Sequence, residues 1–292
     1  MTTMVGFVGL GLMGQGFTRR LVEKSYRVVG FDVDERKTST AAEWGVTPAT
    51  SAAEVAEAAD TILVSVINTA AVEDVALGPR GLLATSRPAD KVMVDLSTTE
   101  LDATRRIAAA LEQRGMMLVD APVSGGPGAA KAGTLAIMAG GPDAAIARIS
   151  PVMRDLGSLT HMGPVGTGQA TKLVNQTIVL TNYCVLAEAL RLAQSYGVDA
   201  AKIPQALKAG FAGSNMLGPV FPQMLAQDFA PRGFARQVLK DLEMLQAAAA
   251  ARHLAMPMAS QALTLYRLLV ASGKSELDAA SVVTLYPLGD TL

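Results

Sequence analysis

The residue types and spacings able to do chemistry fall in four short stretches. Residues 168–176, GQATKLVNQ, set Lys172 at the entrance to TIVLTNYCVLAEALRLA, a run that is apolar on nearly every side. A helix of that composition is normally buried, and a buried lysine is costly unless it is paired or used. Lys172 is therefore a candidate for holding and exchanging a proton; the plainer reading is a lysine that snorkels to water from a frayed helix start. Asn175 and Gln176 follow at spacings that lie on or near the same helix face. DAPVSGG, 120–126, ends an apolar run in a Ser-Gly-Gly turn. The backbone N–H groups of such a turn, here Ser124, Gly125 and Gly126, can grip an anion such as a carboxylate. LKDLEML, 239–245, sets Lys240 beside Asp241 and reads equally well as a solvated charge pair on a helix.

The fourth stretch is GFVGLGLMG, with Gly9-x-Gly11-x-x-Gly14. In a chain with 27 glycines that pattern alone is weak. Its context is not: it follows an apolar strand, opens a helix, and a second strand ends in an acid, Asp32, about 20 residues on. The glycines allow a tight turn, close approach of backbone to a pyrophosphate, and close helix–strand packing. The segment Gly9, Leu10, Gly11, Leu12, Met13 and Gly14 then presents helix N–H groups to phosphates. Asp32 would accept the adenosine ribose hydroxyls, and its charge disfavours the extra phosphate of NADP, so NAD is the expected cofactor. NADP stays open, because Arg36 in DVDERK could reach a 2′-phosphate.

These stretches need elements to position them. The first half alternates short apolar strands, Met4–Val8, Arg27–Asp32, Thr61–Val66, Val92–Asp95 and Met117–Val119, with helical pattern such as Met13–Lys24. Ser51-x-x-Glu54 and Thr99-x-x-Asp102 read as capping boxes, and Gly115 as a helix stop. Alternation of this kind predicts an α/β fold, a Rossmann-type doubly wound parallel sheet. After GPVGTG, 163–168, the pattern becomes helical throughout: Gln169–Tyr196, Ala201–Ala209, Gly233–Arg252 and Pro257–Ser272. The expected domains are a dinucleotide-binding domain over 1–163 and an all-α substrate and oligomerisation domain over 164–292.

Composition narrows the function classes. The 292 residues are half hydrophobic with a formal net charge of −1, which fits a large core and gives no basic stripe for nucleic acid. No unbroken apolar run reaches about 18 residues, so no membrane span is expected. The N-terminus has no basic n-region, so a cytoplasmic protein is expected rather than a secreted one. One cysteine, Cys184, and two distant histidines, His161 and His253, offer no disulfide framework and no metal site. Cys184 reads as a small core residue. His161, at the end of a strand, is the competitor of Lys172 for acid/base work, but a structural or exposed histidine is expected there. No nucleophile motif accompanies either histidine.

Taken together, GFVGLGLMG, VDLST (94–98), DAPVSGGPGAAKAGTLAIMAGG (120–141), GTGQATKLVNQ and DFAPRGFARQVLKDL (228–242) resemble, in order and over Val5 to about Val283, the β-hydroxyacid dehydrogenase family. That family holds 3-hydroxyisobutyrate dehydrogenase, tartronate semialdehyde reductase and L-threonate dehydrogenase, and is 6-phosphogluconate dehydrogenase-like in fold. The resemblance implies an NAD(P)-dependent oxidoreductase that reversibly converts a small 3-hydroxy acid to its semialdehyde or keto acid. Lys172 then matches the catalytic lysine, Ser124, Gly125 and Gly126 the turn that binds the substrate carboxylate, and Thr98 a residue near the nicotinamide. Lys240 matches a lysine that closes over cofactor and substrate, while Val66 and Ile67 match a cofactor-lining loop in which many members carry proline at the Ile67 position. Relatives often have a catalytic asparagine where this chain has Gln176; either Gln176 or Asn175 could supply that amide, and glutamine there resembles the L-threonate dehydrogenase-like branch. The family commonly forms dimers or tetramers, so a homodimer or homotetramer acting on a small carboxylate is the implied assembly. An imine reductase, or a non-catalytic NAD(P)-binding protein of the same fold, remains as an alternative; imine reductases generally replace the lysine.

The chemistry of such a reaction calls for an amine. A hydride leaves carbon and a proton must leave oxygen, so a side chain has to hold that oxygen and exchange the proton. Burial and a nearby positive ring both disfavour an ammonium, which would tune Lys172 toward that task.

Overall fold

A computed structural model describes residues 3–287. The chain divides into two compact units, Met1–Lys172 and Leu173–Leu292. Unit 1 runs β1 (Met4–Val8), α1 (Leu12–Glu23), β2 (Arg27–Phe31), α2 (Glu35–Ala42), β3 (Val46–Pro48), α3 (Ala52–Ala58), β4 (Thr61–Val64) and α4 (Thr69–Leu77). It continues with β5 (Val92–Asp95), α5 (Leu101–Glu112), β6 (Met117–Asp120), β7 (Val123–Ser124), α6 (Gly126–Ala132), β8 (Leu135–Gly140), α7 (Asp143–Leu156) and β9 (Gly157–Gly163). A long helix, α8 (Thr167–Ser195), leads into unit 2, which adds α9 (Ile203–Leu207), α10 (Leu217–Leu225), α11 (Ala235–Ala250) and α12 (Pro257–Ala271).

The sheet of unit 1 has the order β3-β2-β1-β4-β5-β6-β8-β7, with β9 on β8. From β3 to β6 every pairing is parallel. Its strands read as continuous apolar runs because both faces are covered. Alternate residues go to opposite sides: Val5, Phe7, Val28, Leu63, Val92 and Val94 join one core, with Phe17, Leu21, Ile149 and Val152 of α1 and α7. Val8, Val29, Ile62, Val64 and Met93 join the other, with Val55, Val72, Ile107 and Leu111 of α3, α4 and α5. The strand order reverses between β1 and β4, the place where open α/β sheets leave a ligand crevice at the strand C-termini. Trp44, between α2 and β3, donates its indole N–H to Thr18 of α1 at 3.2 Å, and the Arg19 guanidinium lies 3.8 Å over its ring.

The doubly wound sheet is as expected, with additions the pattern did not show. β3, β7 and β8 were not expected as strands, and β7 and β8 bring antiparallel pairing to one end of the sheet. The Ser51 box is shifted: the Ser51 hydroxyl caps α3 at Glu54 N, but the Glu54 carboxylate reaches Thr50 N instead of Ser51 N. The Thr99 box is absent. Helix α5 is capped at Glu100 without a side-chain bond, because the Thr99 hydroxyl is taken by Asp95 at 2.6 Å. Gly115, at φ +75°, stops α5 as its position implied.

Unit 2 is helical among its described residues, with one isolated bridge between Phe234 and Asp278. Its core gathers Leu180, Leu190, Phe221, Met224, Leu242, Leu263 and Tyr266. The Tyr266 hydroxyl, fully buried, donates to Ala279 O at 2.9 Å. Cys184 is buried in this core, and burial pushes its thiol up to about 12. Helix α8 is long and apolar enough, by length and composition only, to cross a membrane. The unbroken-run criterion missed it because Asn175, Gln176, Thr177, Thr181, Asn182 and Glu188 interrupt the run; the Thr177 and Thr181 hydroxyls bond Leu173 O and Thr177 O, one turn back. One side of α8 enters the unit 2 core through Leu180, Cys184, Ala187 and Leu190, while Val174, Ile178, Val185, Leu192 and Tyr196 stand exposed.

Candidate active site

The glycine segment is built for close approach from one side only. Gly9 has φ +97°, and a Cβ on it would lie 2.1 Å from Ser65 O. A Cβ on Gly14 would lie 2.0 Å from Gly9 O, so the third glycine lets α1 start against the loop. At Gly11 a Cβ would meet nothing within 4 Å. Gly11 caps α1 with no side-chain hydrogen bond and no acid follows in the first turn. The first backbone bond there runs from Gln15 N to Gly11 O, and the N–H groups before it have no partner inside the helix. An open approach to uncompensated N–H groups fits a dinucleotide pyrophosphate. Leu10 is fully buried, Met13 half-buried and Leu12 exposed.

Asp32 closes this segment. Its Oδ2 accepts from Leu10 N at 2.7 Å, its Oδ1 from Asp34 N at 2.9 Å and from Lys37 Nζ at 3.5 Å. A carboxylate offers about four acceptor directions, so a further donor such as a ribose hydroxyl can still be taken. Arg36 is committed elsewhere: its guanidinium makes two 3.0 Å bonds to Asp34, which is the N-cap of α2. That guanidinium holds the Asp34 carboxyl below its usual range.

The next strand ends carry the remaining unit 1 residues. Val66 follows β4, and its N–H donates to Ser97 Oγ at 3.0 Å; Ile67 beside it is exposed. Ser97 precedes Thr98 after β5. Asp95 and Asp120 are register partners at the ends of β5 and β6, and both are buried. Asp95 accepts from Ser97 N and Thr99 Oγ1; Asp120 accepts from Gly166 N and Gln169 N, both at 2.7 Å. Burial pushes the Asp120 carboxyl up to about 6; the bonds from Gly166 and Gln169 oppose the shift, and the Asp95 charge adds to it. Gln169, also buried, spends both ends of its amide: Oε1 accepts from Thr99 N at 3.0 Å and Nε2 donates to Ser97 O at 2.9 Å. Helix α8 starts backbone-on-backbone here, since a Cβ on Gly168 would lie 2.3 Å from Asp120 O.

Lys172 stands one turn further along α8. It is 7% exposed, and its Nζ donates to Val123 O at 2.8 Å. Val123 immediately precedes Ser124, Gly125 and Gly126, where φ values of +134° and +72° at the two glycines make the turn possible. The structure thus brings the amine to the Ser-Gly-Gly turn, and the glycine segment, Val66, the Thr98 loop and the Lys172 turn onto one edge of the sheet.

In unit 2, Asn175, Gln176 and Lys240 form one polar chain. Asn175 Nδ2 donates to Gln176 Oε1 at 2.8 Å, Gln176 Nε2 donates to Asp241, and Lys240 Nζ lies 2.9 Å from Asp241 Oδ1. Lys240 and Asp241 are therefore not a solvated pair; Asp241 is 9% exposed. His161 is spent inside β9 and its flank: Nε2 contacts Gly141 O and Gly163 O, and Nδ1 lies 3.5 Å from Asp143. Asp95, Ser97, Asp120, Gln169 and Asp241 were missed as site residues. The available signal was polarity out of place, as with an aspartate closing the apolar run MMLVD.

Comparison with known proteins agrees with this layout. Residues 4–166 match the model for the NAD-binding domain of 6-phosphogluconate dehydrogenase. Residues 166–286 match the model described as NAD-binding of NADP-dependent 3-hydroxyisobutyrate dehydrogenase. A probable 3-hydroxyisobutyrate dehydrogenase-like 3 of Arabidopsis thaliana is 35% identical, over 97% of this chain and 86% of its own length. A 2-hydroxy-3-oxopropionate reductase of Escherichia coli is 34% identical, over 96% of this chain and 95% of its own. The crystal structure of a 3-hydroxyisobutyrate dehydrogenase from Salmonella typhimurium superposes with a TM-score of 0.88 at 27% identity, covering 97% of this chain and all of that one.

Proposed function

We propose a specific reaction for this chain, which belongs to the β-hydroxyacid dehydrogenase family and is an NAD(P)-dependent oxidoreductase. The reaction is reversible oxidation of a small 3-hydroxy acid to its semialdehyde or keto acid, with Lys172 as general acid/base. The observation that carries it is the buried Lys172 amine, 2.8 Å from Val123 O at the foot of the Ser-Gly-Gly turn. A substrate whose carboxylate is gripped by Ser124, Gly125 and Gly126 has its β-hydroxyl within reach of that amine. In oxidation Lys172 takes the hydroxyl proton; in reduction its ammonium returns it and steadies the developing alkoxide. A bound dinucleotide would supply hydride chemistry, and the glycine segment, Asp32, Val66, Ile67 and Thr98 would hold it. Asp32 could accept a ribose hydroxyl and Arg36 is paired to Asp34, which supports NAD over NADP. Gln176, through its bond to Asp241, orders Lys240 and leaves Asn175 as the second amide.

The relatives' names point to 3-hydroxyisobutyrate and 2-hydroxy-3-oxopropionate (tartronate semialdehyde, whose reduced form is glycerate), and the resemblance at Gln176 adds L-threonate. The test is turnover of that panel with NAD and NADP, wild type beside Lys172→Ala. One acid oxidised with NAD and lost in the folded, NAD-binding variant supports the reading. A variant that keeps turnover within about tenfold sinks Lys172, because a missing general acid/base costs about 100-fold or more. The exposed stripe Val174, Ile178, Val185, Leu192 and Tyr196 on α8 supports a homodimer or homotetramer, to be read by light scattering after gel filtration.

A further inference from the structure

The polar cluster below Lys172 ties the ends of β5 and β6 to the start of α8, and one residue makes most of its long-range bonds. Gln169 is 1% exposed. Its backbone N–H is held by Asp120, 49 residues away; its amide oxygen holds Thr99 N, 70 residues away; its amide nitrogen holds Ser97 O, 72 residues away. The same nitrogen lies 3.4 Å from Asp95 Oδ2. Ser97 O and Thr99 N flank Thr98 on either side, so the loop that carries Thr98 is clamped from one amide plane. Lys172 follows Gln169 by three residues on α8, so the clamp and the amine ride on one helical turn.

We propose that Gln169 is the positioning residue that couples the Thr98 loop to Lys172. It holds the group expected beside the nicotinamide and the amine expected at the substrate oxygen in one register. The coupling rests on the reaction proposed above for its kinetic consequence, but not for its geometry. An ordinary buried glutamine would satisfy its own amide; this one satisfies the two backbone groups around a site residue and starts the helix that carries the other. The ionised carboxylates of Asp95 and Asp120 are acceptors, and the Ser97 carbonyl takes its donor from the Gln169 amide. Hydride and proton transfer need both groups in place at once, and misplacement of about 1 Å costs about 100-fold.

The experiment uses Gln169→Ala and Gln169→Glu in the full chain. Three readouts are taken: kcat and KM, NADH affinity by its fluorescence, and residue-resolved hydrogen exchange. For Gln169→Ala, kcat falls about 100-fold, while NADH affinity and substrate KM stay within about threefold. The Thr99 amide exchanges at least about tenfold faster, whereas Gly166, held by Asp120, keeps its protection. Gln169→Glu adds a carboxylic acid facing Asp95, with Asp120 on the backbone N–H of the same residue and Lys172 on the same helix. Protonated, that acid reproduces the amide's acceptor and donor, so kcat recovers as pH falls while wild type does not. Turnover by wild type with kcat of Gln169→Ala within about threefold overturns the proposal, and so does unchanged exchange at Thr99. A wild type silent on every acid, with faster Thr99 exchange in the variant, leaves the coupling standing and removes the reaction reading. If Gln169→Ala does not fold, the pH response of Gln169→Glu decides alone: recovery supports the coupling and a wild-type-like profile overturns it.

Discussion

Asp120→Asn separates two forces that act on one buried carboxylate. Burial favours the protonated acid; the N–H groups of Gly166 and Gln169, each 2.7 Å away, favour the anion. Burial dominates, and the group sits at about 6 instead of 3.8. The folded-state value is raised, so between about pH 4 and pH 6 the folded protein holds a proton that the unfolded chain has released. The stability that Asp120 lends is present below pH 4 and is lost as pH rises through about 6. Two units at about 1.4 kcal/mol each give about 3 kcal/mol. The assay is urea unfolding of wild type and Asp120→Asn from pH 4 to pH 8, with the slope in urea checked for constancy. The expected result is that wild type loses about 3 kcal/mol relative to the variant across that range. A difference that stays flat would refute the dominance of burial and show that the two N–H bonds hold the anion at no net cost.

Other expectations are direct. Gly11→Ala keeps its melting temperature within about 2 °C but weakens NAD binding at least about tenfold, because the added methyl meets only the pyrophosphate approach. Gly14→Ala, whose Cβ would strike Gly9 O, loses more than the about 1–3 kcal/mol of ordinary overpacking, read by the same thermal scan. Asp32→Ala removes the acceptor of Leu10 N and raises the KM for NAD more than that for NADP, read by initial rates with each cofactor. Cys184 reacts with a thiol reagent only as the chain unfolds, since burial both blocks it and raises its thiol. Tyr266→Phe removes the hydroxyl bond to Ala279 O and costs about 0.5–1.5 kcal/mol in urea unfolding.

What could be read in the sequence was what is encoded locally. The glycine segment, Asp32 and the five parallel strands β1, β2, β4, β5 and β6 depend on spacing within a few turns of chain. The same holds for Gly115, a stop set by the residues before it. Thr99 shows the limit: its spacing to Asp102 is that of a capping box, but a carboxylate four residues earlier competes for the hydroxyl and wins. Asp120 and Gln169 were inside quoted motifs and still carried no assignment, because their partners lie 46 to 74 residues away. β8 was hidden for a related reason. LAIMAG is as apolar as the Ala-rich helices around it, and only pairing with β6, β7 and β9 makes it a strand. Helix geometry gave no partner for either Asn175 or Gln176; the bond from Gln176 to Asp241 depends on another helix 65 residues away.

Trp44 is the chain's single tryptophan, and its indole is bonded to Thr18 on the helix that starts at the glycine segment. Unit 1 therefore glows and unit 2 is dark when indole is excited selectively. Indole emission in rising urea reports the sheet domain alone, while far-ultraviolet ellipticity is dominated by helices, many of them in unit 2. Coincident curves mean that the chain melts as one cooperative block; separated curves mean that each unit keeps its own ledger of stability. The same ring, anchored on the cofactor helix, can pass its excitation to bound NADH, so quenching at Trp44 titrates the dinucleotide site without a label.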